Sequence, residues 1–281
     1  MRIESILRGS RPVMLVLFLV TCGPGRRADE PPAPSEPRIA REESESQPPV
    51  PPYEVIGTED AGALRGRIRL GRRRSLDPIP VDKDVDVCGT DDPRLPLRVG
   101  SGEPLPNSVV WLEDVTRGKA MPPDDETVLI GVEGCAVHPR VRLAAVGARL
   151  LLVNGDDLFH DIRATSESGE SVFRHPLPMQ DFRAEETLSK PGIIRLRCEA
   201  GHPWMAAYIV AHAHPYYALT DEEGYFAIDE IPAGEYRLMV WHELTEGGEK
   251  SVTVEPGESS EIELTLDMAE EWDNGAEKVP Q

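Results

Sequence analysis

The stretch Ile193–Ala211, IIRLRCEAGHPWMAAYIVA, decides how the rest of the chain is read. Ile193–Arg197 and Ala206–Ala211 are short apolar or alternating runs of strand length. Between them stands Cys198-Glu199-Ala200-Gly201-His202-Pro203-Trp204-Met205, a C-x-x-x-H-x-x-M loop. A single tight loop between two strands can bring a thiol, an imidazole and a thioether to one point. A fourth donor precedes them in LLLVNGDDLFHDIRA (150–164), where Asn154 and His160 follow a strand. Two imidazoles and a thiolate in one plane with a long, weak thioether suit copper, because soft sulfur favours Cu(I) and imidazole tolerates both oxidation states.

Working outward, strand-like runs recur at 64–70, 108–112, 127–132, 141–144, 148–153, 225–228, 236–241, 251–254 and 261–266, broken by Gly, Pro and Asp. No window holds a 3.6-residue period, although Glu185-Glu186 could open a short helical turn. The expectation is an all-β chain, built as a sandwich or sandwiches.

Fifty Asp and Glu face thirty Lys and Arg, a net charge of −20 over 281 residues. Such a surface repels nucleic acid and anionic lipid, and suits solubility or a basic protein partner. Residues 1–22 have the form of an export signal: Arg2, Arg8 and Arg11, then the eight apolar residues Val13–Val20. Spanning a bilayer takes about 20 apolar residues, so this run is too short to cross. Residues 23–60 open with a Pro-, Glu- and Ser-rich stretch, nine prolines by residue 52, which cannot bury enough surface to order itself and is expected to be a disordered tether. Residues 269–281 are expected to be a loose tail.

Of the four cysteines, Cys22 falls in the signal and Cys198 in the donor loop. Elimination leaves Cys88 and Cys135 to pair in an oxidising compartment.

Three resemblances add to this. Leu19-Val20-Thr21-Cys22-Gly23 resembles a bacterial lipobox, which implies lipidation at Cys22, placement in the periplasm or at the cell surface as an outer-membrane lipoprotein, and membrane contact only through that anchor. Residues 220–242, TDEEGYFAIDEIPAGEYRLMVWH, resemble carboxypeptidase-regulatory-like, transthyretin-like β-sandwiches. That module normally begins with strands like Leu64–Leu70 and Asn107–Leu112. Residues 62–130 plus 206–268 are therefore expected to form one discontinuous sandwich, with residues 131–212 as a second β domain inserted or joined. The donor set resembles the cupredoxins, such as plastocyanin and amicyanin, whose Greek-key sandwich carries one mononuclear copper ion. The resemblance implies His160, Cys198, His202 and Met205 as ligands, with Asn154 tying the two ligand loops together behind them. Three residues separate Cys198 from His202, where small cupredoxins often have two. That is the spacing of the binuclear loop of cytochrome oxidase subunit II, but Ile194 stands where its other Cys would be, so one ion is expected.

The remaining histidines read as structural. His138 is the first replacement should His160 not ligate, His175 lies in a polar loop, and His212 with His214 are a weak second-metal candidate. His242 belongs to the regulatory-like sandwich, and Trp204 is expected to pack as a lid over the site. Asp156-Asp157 and Glu222-Glu223 read as solvated turn carboxylates. No C-x-x-C-H, phosphate loop, H-E-x-x-H or G-x-S-x-G motif is present. The expected function is single-electron transfer with a redox partner protein, and not catalysis. The rivals are a carbohydrate- or protein-binding sandwich with a structural metal, and copper storage or delivery.

Overall fold

Alternation in the sequence becomes one buried and one exposed face on strand after strand. The computed structural model describes residues 53–74, 79–91, 101–122 and 127–270. The signal segment with Cys22, the tether up to residue 52, and residues 271–281 lie outside the described residues. The chain first supplies β1 (Glu54–Val55), β2 (Gly62–Leu70), the helical turn α1 (Val85–Cys88), β3 (Val109–Leu112) and β4 (Arg117–Gly118). Next come β5 (Thr127–Glu133), β6 (Ala136–His138), β7 (Val141–Ala145), β8 (Arg149–Asn154) and β9 (His160–Ser166). They are followed by β10 (Ser171–Leu177), β11 (Arg183–Thr187), β12 (Gly192–Cys198) and β13 (His202–His212). β14 (Tyr217–Leu219), β15 (Tyr225–Ile231), β16 (Gly234–Trp241), β17 (Gly248–Val254) and β18 (Ser259–Leu266) complete an all-β chain. Among the described residues α1 is the only helix, and none is long and apolar enough to cross a membrane.

Two sandwiches result. In the first, the sheets β15-β2-β18 and β14-β3-β16-β17 enclose Leu64, Ile68, Leu112, Phe226 and Leu238. In the second, β10-β9-β12-β13-β7 and β11-β8-β5-β6 enclose Ile130, Leu150, Leu152, Ile162, Leu196 and Ile209. The strands of the second lie, in sequence, between the two halves of the first.

The divisions expected from sequence shift in five places. β5 pairs with β8 and β6, so Thr127–Ile130 belongs to the second sandwich, not to the 62–130 piece. β13 lies wholly in the second sandwich, so the first resumes at β14 rather than at residue 206. Residues 79–91 also pack there, with Ile79, Val81 and Cys88 against its core. Alternation marks a strand but not the sheet it joins, which is why these limits moved. At the chain ends, Tyr53 donates to the Lys119 carbonyl at 2.7 Å and β1 pairs with β4, so residues 53–55 are not tether. Ala269 N–H donates to the Leu244 carbonyl, so the tail does not begin there. Glu185 and Glu186 lie in β11, an edge strand paired with β8, and open no helix.

The sandwiches meet face to face. Val109, Val141, Tyr208 and Val210 form a buried layer, with Trp111, Leu143 and Trp241 against it. β13 is thus covered on one face by its own core and on the other by the first sandwich, which accounts for its unbroken apolar run.

Candidate metal centre

Cys198 ends β12, His202 begins β13 and His160 begins β9, and these three strands are adjacent in one sheet. The hairpin register explains how the loop is made. Arg197 pairs with Ala206, but the next residue, Cys198, pairs with His202. Pro203, Trp204 and Met205 therefore face no partner on β12, and this bulge lets Met205 enter the core while His202 stays beside Cys198. Gly201, at φ +90°, turns the loop in a conformation that favours glycine.

The cluster is buried. His160 and His202 are 0% exposed, Met205 1% and Cys198 7%. Cys198 Sγ lies 3.8 Å from His160 Nδ1 and 3.5 Å from His202 Nδ1. Bonds of roughly 2.3 Å to sulfur and 2.0 Å to imidazole, set about 120° apart around a first-row ion, put sulfur and nitrogen about 3.7 Å apart. The observed spacings fit such an ion. Met205 shares the core cluster of Cys198 and Trp204. Trp204 lies tilted against the His202 ring, 5.4 Å between centroids, and donates to the Cys135 carbonyl at 3.1 Å.

Each imidazole turns its other nitrogen to a carboxylate. His160 Nε2 is 2.9 Å from Asp156 Oδ2, and His202 Nε2 is 2.9 Å from Asp84 Oδ2. An ionised carboxylate only accepts, so it holds the proton on Nε2 and leaves Nδ1 free to bind a cation. Burial pushes the His160 pKa down, with Asp156 pulling against it. Burial pushes the Cys198 thiol up, while backbone hydrogen bonds from Asp161 and Ala200 oppose this. A bound cation would replace the thiol proton on Sγ, with the proton released to water.

Neither carboxylate was found in the sequence. Asp156 is not a solvated turn residue: it is 6% exposed and accepts from the backbone N–H of Gly134 and Cys135 at 2.7 and 2.9 Å. Asp84 stands 118 positions from His202 with no local signal. Asn154 is bonded otherwise than expected. Its side chain donates to the Leu158 and Leu177 carbonyls at 2.9 and 3.2 Å and accepts from Asp156 N–H at 3.1 Å. It braces the loop that carries His160, and the described hydrogen bonds do not join it to the Cys198 loop.

Cys88 and Cys135 are joined by a disulfide, and Cys198 is a free, buried cysteine. His138 is exposed on β6. His175 lies in β10, not in a loop, 3.2 Å from Glu186. His214 and His242 each accept the backbone N–H two residues on through Nδ1, at 3.2 Å, so they cap turns. His212 stacks on Tyr217 with ring centroids 4.4 Å apart.

Fold and donors together define a class: a β-sandwich with a buried His, Cys, His set at the ends of adjacent strands. One family model matches, polysaccharide lyase family 4, domain II, over residues 199–262. No curated protein matches the chain. Among solved structures it is similar to a purple cupredoxin from Nitrosopumilus maritimus, 19% identical with a TM-score of 0.27, covering 30% of this chain and 99% of that one. It is similar to a copper-containing nitrite reductase from Thermus scotoductus SA-01, 25% identical with a TM-score of 0.27, covering 34% of this chain and 24% of that one. It is also similar to amicyanin from Paracoccus versutus, 18% identical with a TM-score of 0.28, covering 33% and 85%.

Proposed function

We propose that this chain is an exported, membrane-tethered copper protein that passes single electrons. The observation that carries the reading is the convergence of His160 Nδ1 and His202 Nδ1 on Cys198 Sγ, at 3.8 and 3.5 Å, in a buried site whose three donors lie within 4.8 Å of one another. Met205, in the same core, is the weak fourth ligand. Copper, when bound, supplies the one-electron couple. The residues of the chain hold the donors still: Asp84 and Asp156 fix the imidazoles, and strand pairing on both sides fixes Cys198. A site arranged in advance needs little rearrangement when its charge changes. Export and tethering rest on the Arg-rich start, the apolar run Val13–Val20 and the lipobox-like Cys22. The net charge of −20 suits a basic protein as the redox partner.

The test is an absorption spectrum of the full chain with Cu(II), beside Cys198→Ser. An intense visible band absent from the variant supports the reading, and a colourless protein that binds no copper removes it. A second reading draws on the family match over 199–262: a carbohydrate- or protein-binding sandwich whose metal is structural. On that reading partner association survives Cys198→Ser. Copper storage or delivery differs again, in that metal passes readily to a chelator.

A further inference from the structure

Residues 79–91 follow β2 in the chain, yet they serve the second sandwich. Val81 is buried in that core. Lys83 Nζ donates to the Ala200 carbonyl, inside the turn between Cys198 and His202. A Cβ at Gly201 would come within 3.0 Å of the same Nζ, so this side chain packs directly on the turn. Asp84 follows at φ 51°, ψ 37°, a left-handed conformation uncommon outside glycine. Such a conformation persists where its surroundings hold it. Its surroundings do hold Asp84: the carboxylate meets His202 Nε2 and Lys83 Nζ, and the carbonyl accepts from the N–H of Val87 and of Cys88, which is bonded to Cys135. The two sulfurs lie within 4.8 Å of a His202 nitrogen. Cys135 N–H in turn donates to Asp156, the carboxylate on His160. One disulfide thus links the segment that presents Asp84 to the backbone N–H that holds Asp156.

We infer that Asp84 is a positioning residue for the metal centre, carried by a strap that the Cys88–Cys135 bond pins over the Cys198–His202 turn. Asp84 keeps the His202 proton on Nε2, so the Nδ1 lone pair faces Cys198 whether or not metal is bound. The strap also lies against the imidazole edge of His202, which is 0% exposed. The nature of the metal rests on the copper reading, whereas the tautomer of His202 does not.

The experiment compares wild type with Asp84→Ala and Asp84→Asn in the full chain. In the metal-free protein, ¹⁵N NMR of His202 is expected to give the Nε2–H form in wild type and a mixture of forms in Asp84→Ala. Asp84→Asn, which keeps an accepting oxygen, is expected to restore the wild-type signal. In the copper-loaded protein, Asp84→Ala is expected to weaken metal affinity about 10–100-fold, as loss of a carboxylate behind a ligating histidine typically does. Cys88→Ser/Cys135→Ser is expected to shift both readouts the same way by freeing the strap. An unchanged His202 tautomer in Asp84→Ala overturns the inference, with or without copper. A shifted tautomer in a protein that takes up no copper sustains the positioning role and removes the copper reading.

Discussion

Arg140, in the turn before β7, forks its guanidinium onto Glu243, which follows β16 in the other sandwich. Nε and Nη2 each donate to a carboxylate oxygen at 2.6 Å, and Nη1 donates to the Ala206 carbonyl at 3.0 Å. The Glu243 side chain is 1% exposed, so its charge lies out of water and needs this partner.

Arg140→Ala removes both guanidinium hydrogen bonds from that buried carboxylate, and is expected to cost about 3 kcal/mol in urea unfolding. Arg140→Met combined with Glu243→Leu should recover most of the loss, since it removes both charges. A single-variant loss under about 1 kcal/mol would mean the pair adds little to the join.

The Cys88–Cys135 bond spans a sequence separation of 47. By loop entropy, closing such a loop is worth about 4 kcal/mol. Cys88→Ala/Cys135→Ala should lower the unfolding free energy by roughly that amount. A variant as stable as wild type would place the stabilisation elsewhere.

His242 sets an acid limit. It is 2% exposed, its Nδ1 accepts Leu244 N–H, and it hydrogen-bonds the Pro106 carbonyl. Burial lowers its pKa to about 4, with Glu243 opposing and Arg140 adding to the shift. Because the folded value lies below the unfolded one, this histidine's contribution is fully present above about pH 6.5 and declines as pH falls toward 4. The decline amounts to about 3 kcal/mol. Urea midpoints between pH 7 and 4.5 should fall more steeply in wild type than in His242→Gln. Equal slopes would refute it.

Asn154 is fully buried, and its side chain makes two hydrogen bonds within the loop that carries His160 and a third to the end of β10. Asn154→Ala strands the Leu158 and Leu177 carbonyls and the Asp156 N–H, at a cost of about 3 kcal/mol. Chemical unfolding of the metal-free variant checks this, and a change below about 1 kcal/mol would point to water taking over the bonds.

What could be read from the sequence was whatever had a local pattern. The strand–loop–strand around Cys198 and His202 shows itself in the order of residues, because hairpin partners are close along the chain. Elimination could pair Cys88 with Cys135 without geometry. Asp84 could not be found, since its relation to His202 spans 118 positions and no spacing rule covers it. Asp156 was obscured by its neighbours: a Gly-Asp-Asp stretch has the composition of a solvated turn, and only the fold reveals that its first carboxylate points inward. β11 was missed for a similar reason. RAEET carries no apolar residue but Ala184, and its place is set by pairing with β8 at a sheet edge.

The central pairing of the first sandwich, β2 with β18, joins Ala63 to Ser259 and Leu70 to Leu266. Nearly two hundred residues must be synthesised between these partners, among them every strand of the second sandwich. Ribosomal order and loop-closure entropy act in the same direction here. The second sandwich, whose strands run without interruption from β5 to β13, can collapse while β2 still waits for its partner. The first closes only when the last strand arrives, which makes it the slower and more aggregation-exposed half of the molecule. In refolding, signals from Trp111 and Trp241 at the join should therefore appear after those from Trp204.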